Sequence, residues 1–493
     1  MTATPPARRP GPVGAGPWCA DGRGHLTWDL VGRNIHQTLD FMEGRMEPRV
    51  AVIGAGPAGL ATLKALADRA VPAVGFDTAP QVGGLWVYGA PHSSAYRTLH
   101  LNTSRTRTEF ADLPMPADWP DYPDHARIAG YLHDYAQRFG LLDAVRLRHT
   151  VTRVARDGAG WRVTAAGPRG VITAHVEAVV VANGHNSRPR LPAPAYPGEM
   201  TADQLHSHDY RDPEQLAGRR VLVVGGGNSA MDIAVDASHV APGTLLSLRR
   251  GVWIVPKHLL GRPSDTLNGA LATRLPWRLR QRVSETVLRL SVGRPERHGL
   301  PTPRHGLLQD HPTLSDSLLS RISHGEIGVR PAIERFDGDR VHFTDGTTDE
   351  IDLVVWCTGY DIDLPFLDPA LLGDGADRLP LYRHVFHQQA PGLMFVGLMQ
   401  STGSALPVVE AQARLVAAHL AGAYALPSKA EQAADVAAEL RAARARWGER
   451  RPAMRIDFDA YLARAAKELS DGATRARRGR GVSWRRTDDG GAR

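Results

Sequence analysis

Two glycine-rich hexamers are the part of this sequence best suited to chemistry. Gly54-Ala55-Gly56-Pro57-Ala58-Gly59 follows the apolar run Val50-Ala51-Val52-Ile53, and Gly225-Gly226-Gly227-Asn228-Ser229-Ala230 follows Val221-Leu222-Val223-Val224. A buried strand, a tight glycine turn and a helix form a pyrophosphate cradle. Gly54 permits the turn, Gly56 lets backbone approach the phosphates, and Gly59 lets the helix pack close to the strand. Gly225 and Gly227 stand at the corresponding places of the second turn. Each helix N-terminus then offers unpaired N–H groups to the anion. The flanks carry the signal, because Val13-Gly14-Ala15-Gly16-Pro17 has similar letters with neither strand before it nor helix after it.

The charge at the end of the next strand separates the two turns. Asp77 ends Val74-Gly75-Phe76, 23 positions beyond Gly54. A carboxylate there accepts hydrogen bonds from ribose hydroxyls and repels a 2′-phosphate. In the second unit Leu245-Leu246-Ser247-Leu248 ends instead in Arg249 and Arg250, the first lying 24 positions beyond Gly225. Two guanidinium groups suit a dianionic 2′-phosphate. One unit for an FAD-type dinucleotide beside one for NADPH implies hydride transfer between them.

The elements that must position these residues occur twice. After each turn comes a helix, then strands punctuated by Asp157-Gly158 in one case and by Asp337-Gly338 and Asp345-Gly346 in the other, then a last apolar strand. Gly184 and Gly359 close the two patterns, 130 positions after Gly54 and 134 after Gly225. The duplication predicts an α/β fold with two dinucleotide-binding, Rossmann-like domains, the NADPH domain inserted in the FAD domain. The expected layout is a disordered Pro/Gly/Arg-rich extension over 1–45, the first part of the FAD-binding domain over 46–212, and the NADPH-binding domain over 213–345. The FAD domain resumes over 346–425, and 426–493 holds C-terminal helices and a basic tail that is loose from Arg475. Met46 is a second candidate start. The stretch 256–325 is an insertion in the NADPH domain with no recognisable pattern, expected to shape the substrate entrance.

Composition excludes several other classes. A chain of 493 residues holds two to four domains of about 100–200 residues each and needs no disulfide or metal to build a core. Its two cysteines, Cys19 and Cys357, form no Cys-x-x-Cys pair. That removes a zinc ribbon, a disulfide framework and a disulfide reductase, and favours a reducing, cytoplasmic setting. No apolar run is long enough for a membrane anchor. The net charge of +7 sits mostly at the two ends, and only four of the 59 basic residues are Lys, so nucleic acid is not an expected partner. His206 and His208 have no third ligand in view, and no metal is expected.

Further stretches resemble the flavin-containing monooxygenases, a class B flavoprotein family, from about residue 48 to about 425. They are Gly83-Gly84-Leu85-Trp86, His92-Ser93-Ser94-Ala95-Tyr96-Arg97 with Asn102-Thr103-Ser104, and His206-Ser207-His208-Asp209-Tyr210. Thr358-Gly359-Tyr360, Leu381-Tyr382-Arg383-His384-Val385-Phe386 and Glu410-Ala411-Gln412-Ala413-Arg414 complete the set. The resemblance implies that NADPH reduces FAD, that O2 adds to give a C4a-hydroperoxide, and that one oxygen passes to a soft nucleophile, an amine nitrogen or thioether sulfur of a small molecule. It implies catalytic roles for Asn102 and Tyr210. Asn102, Leu85, Trp86, His92 and Gln400 become flavin-side residues, Asn228 and Ser229 face NADP, and Thr358 joins the cofactor-binding set. The oligomeric state stays open, a homodimer included. The linker departs from the family pattern Phe-x-Gly-x-x-x-His-x-x-x-Tyr/Phe, with Met200 and Ala202 in place of Phe and Gly, so a looser inter-domain hinge is expected.

Two rival readings remain. A Baeyer–Villiger monooxygenase acting on ketones would favour Trp at position 210 and an acid-bearing run after Trp86, where Tyr210 and Val87-Tyr88-Gly89-Ala90-Pro91 stand. A non-oxygenating NADPH-dependent flavoprotein reductase is the other. The reading of Arg249 makes a direct prediction. A charge-assisted phosphate contact is worth about 1.5–3 kcal/mol, so Arg249→Ala raises the KM for NADPH roughly ten- to a hundredfold and leaves that for NADH nearly unchanged. Steady-state kinetics with both nucleotides checks this, and equal losses contradict it.

Overall fold

A strand whose every residue is apolar must be covered on both faces, the situation inside a parallel sheet. Val50–Ile53 and Ala178–Val181 are buried along their whole length. In the computed structural model, which describes residues 37–38, 47–267, 276–307, 309 and 312–484, they lie side by side in a seven-stranded sheet. Its order runs from Leu381–Tyr382 through Phe386–His387, Leu393–Phe395, Ala178–Val181, Val50–Ile53 and Ala73–Phe76 to Val145–Arg146. Leu406–Leu420 packs beside Pro57–Ala67 on one face. The expected extension 1–45 lies outside the described residues except for Gln37–Thr38, which pairs in parallel with Ile172–Thr173.

The second sheet has five strands, all parallel, in the order Asp203–His206, Leu353–Trp356, Arg220–Val224, Gly243–Ser247, Gly328–Arg330. An antiparallel three-stranded meander precedes the last strand of each half. These are 150–157, 160–167 and 170–176 in the first, and 333–337, 340–343 and 348–350 in the second. The duplication legible in the sequence is therefore a duplication of structure.

Three expectations need correction. The boundaries after 212 and 345 shift, because Leu353 pairs with Asp203 on one side and Val221 on the other, which assigns Asp203–His206 and Leu353–Trp356 to the second sheet. The linker is not loose. Met200 packs on the cluster of Phe336 and Trp356, its segment bridges to Gly338, and the strand after it is an integral sheet edge. Nor does the chain become a loose tail at Arg475. Helix Phe458–Arg477 carries Arg475 to the buried Glu468, and its Nε donates to the Ala425 carbonyl at 2.9 Å. Beyond it Val482 bridges to Leu426 and Trp484 Nε1 donates to Glu177 at 3.2 Å. A buried carboxylate needs a paired cation, and that need ties the segment down. Residues 485–493 lie outside the described ones.

The stretch 256–325 is the crossover between strands Gly243–Ser247 and Gly328–Arg330. It contains helix Trp277–Val292, whose Leu288 packs with Trp253 and Leu307. Among the described residues no helix is long and apolar enough to cross a membrane.

The C-terminal packing is testable at Gly472, where a Cβ would overlap the buried Tyr424 ring, itself held by a 2.9 Å bond to Glu468. Alanine gains about 1 kcal/mol of helix propensity, while overpacking a filled core costs about 1–3 kcal/mol. Gly472→Ala should lower the melting temperature in a thermal scan. A rise would contradict this packing.

Candidate active site

Both glycine turns lie at the C-terminal edges of their parallel strands, where open α/β sheets bind ligands. Gly54 (φ +105) and Gly225 (φ +145) hold backbone conformations that favour glycine. A Cβ on Gly59 would overlap the Gly54 carbonyl oxygen, and one on Gly225 the Cys357 carbonyl oxygen. Gly56 and Gly227 are the N-caps of helices Pro57–Ala67 and Asn228–Val240, and neither end has a side-chain cap. Amide N–H groups without a side-chain partner are what an anion requires. At Gly227 a Cβ would meet nothing within 4 Å, so the space before that turn is open.

At the first turn, Gly83 N donates to Ala55 O at 3.0 Å and brings the short helix Gly84–Trp86 against Gly56. Leu85 remains partly exposed there, while Trp86 packs on the core. Asp77 follows strand Ala73–Phe76. Its oxygens accept from Ala55 N at 2.6 Å and Ala79 N at 2.7 Å, and each keeps a lone pair for a hydroxyl. Burial pushes its carboxyl upward, against the two backbone N–H groups and the nearby His92. His92 itself is exposed with φ +61.

At the second turn Arg249 and Arg250 follow strand Gly243–Ser247, both exposed and with no ion pair among the described residues. Asn228 is partly committed, because its Oδ1 accepts from Leu314 N at 2.8 Å, which leaves its NH2 group and one lone pair for a ligand. Ser229, half-buried, sits in the first turn of the helix. Thr358 is bound to Arg190: its hydroxyl donates to the Arg190 carbonyl, and its own carbonyl accepts from Arg190 Nη2 at 2.9 Å. It therefore braces the end of the second sheet.

Asn102 lies in the loop between Leu101 and Ser104. Its Oδ1 is buried and has no hydrogen-bond partner among the described residues. Thr103 from this loop and Thr402–Ser404, just after Gln400–Ser401, line one small cavity of about 70 Å³ together with Asp265, so the loop, the Gln400 segment and the second-unit crossover converge. Arg280 and Arg107 also line it, paired with Asp457 and Asp459 respectively. A cavity of about 430 Å³ lined by Trp277, Glu439 and Trp447 holds none of the sequence-predicted residues.

Tyr210, to which the resemblance gives a catalytic role, lies in the core of the second unit. It is fully buried, its ring lies 5.5 Å from that of Tyr96, and its hydroxyl donates to Asp236 at 2.8 Å. Burial first, then Asp236, pushes its phenol far above the usual range. His206 and His208 pack edge-on against Tyr360, at 5.5 and 5.8 Å, and burial lowers both imidazoles. No cluster suited to a metal ion occurs among the described residues.

The family model described as FMO-like, flavin-binding monooxygenase-like, matches residues 47–471. The chain belongs to the flavin-containing monooxygenase family. It is similar to flavin-containing monooxygenase 5 of Oryctolagus cuniculus, with 33% identity over 79% of this chain and 76% of that protein. The dimethylaniline monooxygenase [N-oxide-forming] 2 of Rattus norvegicus is also 33% identical, over 80% and 77%. Among solved structures, the S-allyl-L-cysteine S-oxygenase of Allium sativum is 26% identical with a TM-score of 0.65, covering 88% of this chain and 94% of that one. This flavin-containing monooxygenase family uses FAD and NADPH. The match runs beyond residue 425 and spans 256–325.

Sequence reasoning missed Lys257, Asp265 and Arg190. Lys257 Nζ donates to Leu101 O at 3.1 Å, and Asp265 Oδ2 accepts from Ser104 N at 2.7 Å. One signal was available for Lys257, one of only four lysines in a chain that otherwise uses Arg. The first cradle makes its own prediction: Gly59→Ala forces helix and strand apart, so the purified variant should carry much less FAD per chain by absorbance. Full occupancy would contradict the cradle.

Proposed function

We propose that this flavin-containing monooxygenase transfers one atom of O2 to a soft nucleophile of a small molecule, an amine nitrogen or a thioether sulfur. In the balanced reaction, substrate, O2, NADPH and a proton give the N-oxide or sulfoxide, NADP⁺ and water. FAD, when bound, supplies hydride acceptance and O2 activation. Gly54, Gly56, Gly59 and Asp77 would hold it, with Leu85, Trp86, His92 and Gln400 on the flavin side. Gly225, Gly227, Asn228, Ser229, Arg249 and Arg250 would hold NADPH.

The observation that carries the reading is the buried, unpartnered Oδ1 of Asn102. An amide carbonyl left without a partner costs about 1–3 kcal/mol, so the site is built for a group absent from the protein itself. Asn102 can accept a proton-bearing group while its NH2 donates, which orients a reactive oxygen and keeps water from it. Arg107 and Arg280, which line the cavity beside this loop, are paired with Asp459 and Asp457. The names of the rat N-oxide-forming and garlic S-oxygenase relatives support transfer to nitrogen or sulfur. A reducing, cytoplasmic setting belongs to this reading, which rests on the use of only two cysteines in 493 residues.

A mass-spectrometric product screen of amines, thioethers and ketones with NADPH tests the proposal. N-oxides or sulfoxides are expected, and lactones or esters would contradict it. Asn102→Ala should still bind FAD and oxidise NADPH, but product formed per NADPH consumed should fall as electrons go to H2O2, because a hydrogen bond worth about 1–3 kcal/mol is lost. Unchanged coupling in the variant would remove Asn102 from the mechanism.

A further inference from the structure

The loop that carries Asn102 is held by the second nucleotide unit. Lys257 Nζ donates to Leu101 O, one residue before Asn102, at 3.1 Å. Asp265 Oδ2 accepts from Ser104 N at 2.7 Å and Ser104 Oγ at 3.0 Å, two residues after it. Ser104 is buried, and the other oxygen of Asp265 is buried without a partner among the described residues.

Lys257 and Asp265 are in turn fixed to the second phosphate turn. Ser264 N, adjacent to Asp265, donates to Lys257 O at 2.8 Å, and Lys257 N donates to Asp316 Oδ1 at 2.7 Å. Just before Lys257, Ile254–Val255 pairs with Thr313–Leu314. Thr313 Oγ1 donates to Gly226 O at 2.8 Å, and Leu314 N donates to Asn228 Oδ1, also at 2.8 Å. Hydrogen bonds and short stretches of main chain, 255–257 and 264–265, thus join the turn Gly225–Asn228 to both flanks of Asn102. Lys257 also faces Asp232, which accepts from Tyr96 of the same loop region at 2.5 Å.

We infer that Asp265 and Lys257 are positioning residues through which occupancy of the second phosphate turn sets the place of Asn102. This rests on reading that turn as the NADP(H) site. Anion binding at the turn orders Gly226 and Asn228, hence Thr313–Leu314 and the strand beside them, hence the two side chains that clamp the loop. Coupling of this kind requires a connected element with distinct arrangements that both sites bias. The clamp meets the first part of that requirement, since each link is a hydrogen bond between named atoms or a short stretch of main chain. Asp265 accepts through one oxygen from a backbone N–H, so an Asn carbonyl oxygen can replace it while Ala cannot.

Amide hydrogen exchange on the FAD-loaded protein, with and without NADP⁺, reads the inference apart from catalysis. In the unaltered protein NADP⁺ should slow exchange at 225–230 and at 101–105 together. In Asp265→Ala the first protection should persist while exchange at Ser104 becomes roughly ten- to a hundredfold faster and unresponsive to NADP⁺. Product per NADPH should fall with it, at unchanged FAD content, and Asp265→Asn should restore both. Should Asp265→Ala fold poorly, Lys257→Met carries the same readout at 101–105. Equal NADP⁺ protection of 101–105 in the Ala or Met variant overturns the clamp while leaving the NADP(H) site intact. No protection of 225–230 in the unaltered protein removes the reading of the turn and the coupling with it.

Discussion

A carbonyl oxygen occupies the place a Cβ would need at Gly54 and again at Gly225, that of Ala182 in one unit and that of Cys357 in the other. This exclusion brings each glycine turn against the end of the neighbouring strand, and the helix that follows keeps its first N–H groups for an anion. Everything chemical in the molecule is arranged around those two ends. Asp77 and Arg249 come after the neighbouring strands because each is the next parallel element in its sheet. Opposite charges at equivalent places are the basis of the proposal that one unit holds FAD and the other NADPH.

The region from Tyr96 to Ser104 shows how the two units are made to act as one. It belongs to the first unit, yet these anchors are in the second. Tyr96 donates to Asp232, Thr98 to Asp236 at 2.6 Å, and Ser104 to Asp265. Burial pushes the carboxyls of Asp232 and Asp236 up, and the hydroxyl bonds draw them back. Each bond satisfies a group that burial would otherwise leave costly. Tyr210 completes the anchor at Asp236.

Much of the fold is legible in the sequence because glycine turns, apolar strands and the charge beyond them are local properties of a chain. The repeat of strand, turn, helix, meander and strand can be read at two spacings of about the same length. Less legible is anything settled by partners far away in sequence. Asp203–His206 carries no apolar run that marks it as sheet, and its place depends on pairing with Leu353–Trp356. Tyr210 matches a family position, but its bond to Asp236, 26 positions away, is not visible in the motif. Asp265 reaches Ser104 across 161 positions, a contact no spacing rule would suggest. The packed stretch 475–484 has the composition of a basic tail, because the buried Glu468 that captures Arg475 is visible only once helix Phe458–Arg477 is folded.

The central claim is that both units act together to place one atom of O2 on nitrogen or sulfur. Turnover of a thioether or tertiary amine with NADPH under heavy-isotope O2, with mass spectrometry of the product, tests it most directly. The account predicts a sulfoxide or N-oxide carrying a single heavy oxygen, with NADPH consumed in equal amount. Unlabelled product, or heavy oxygen recovered only as H2O2 while NADPH is consumed, would contradict it.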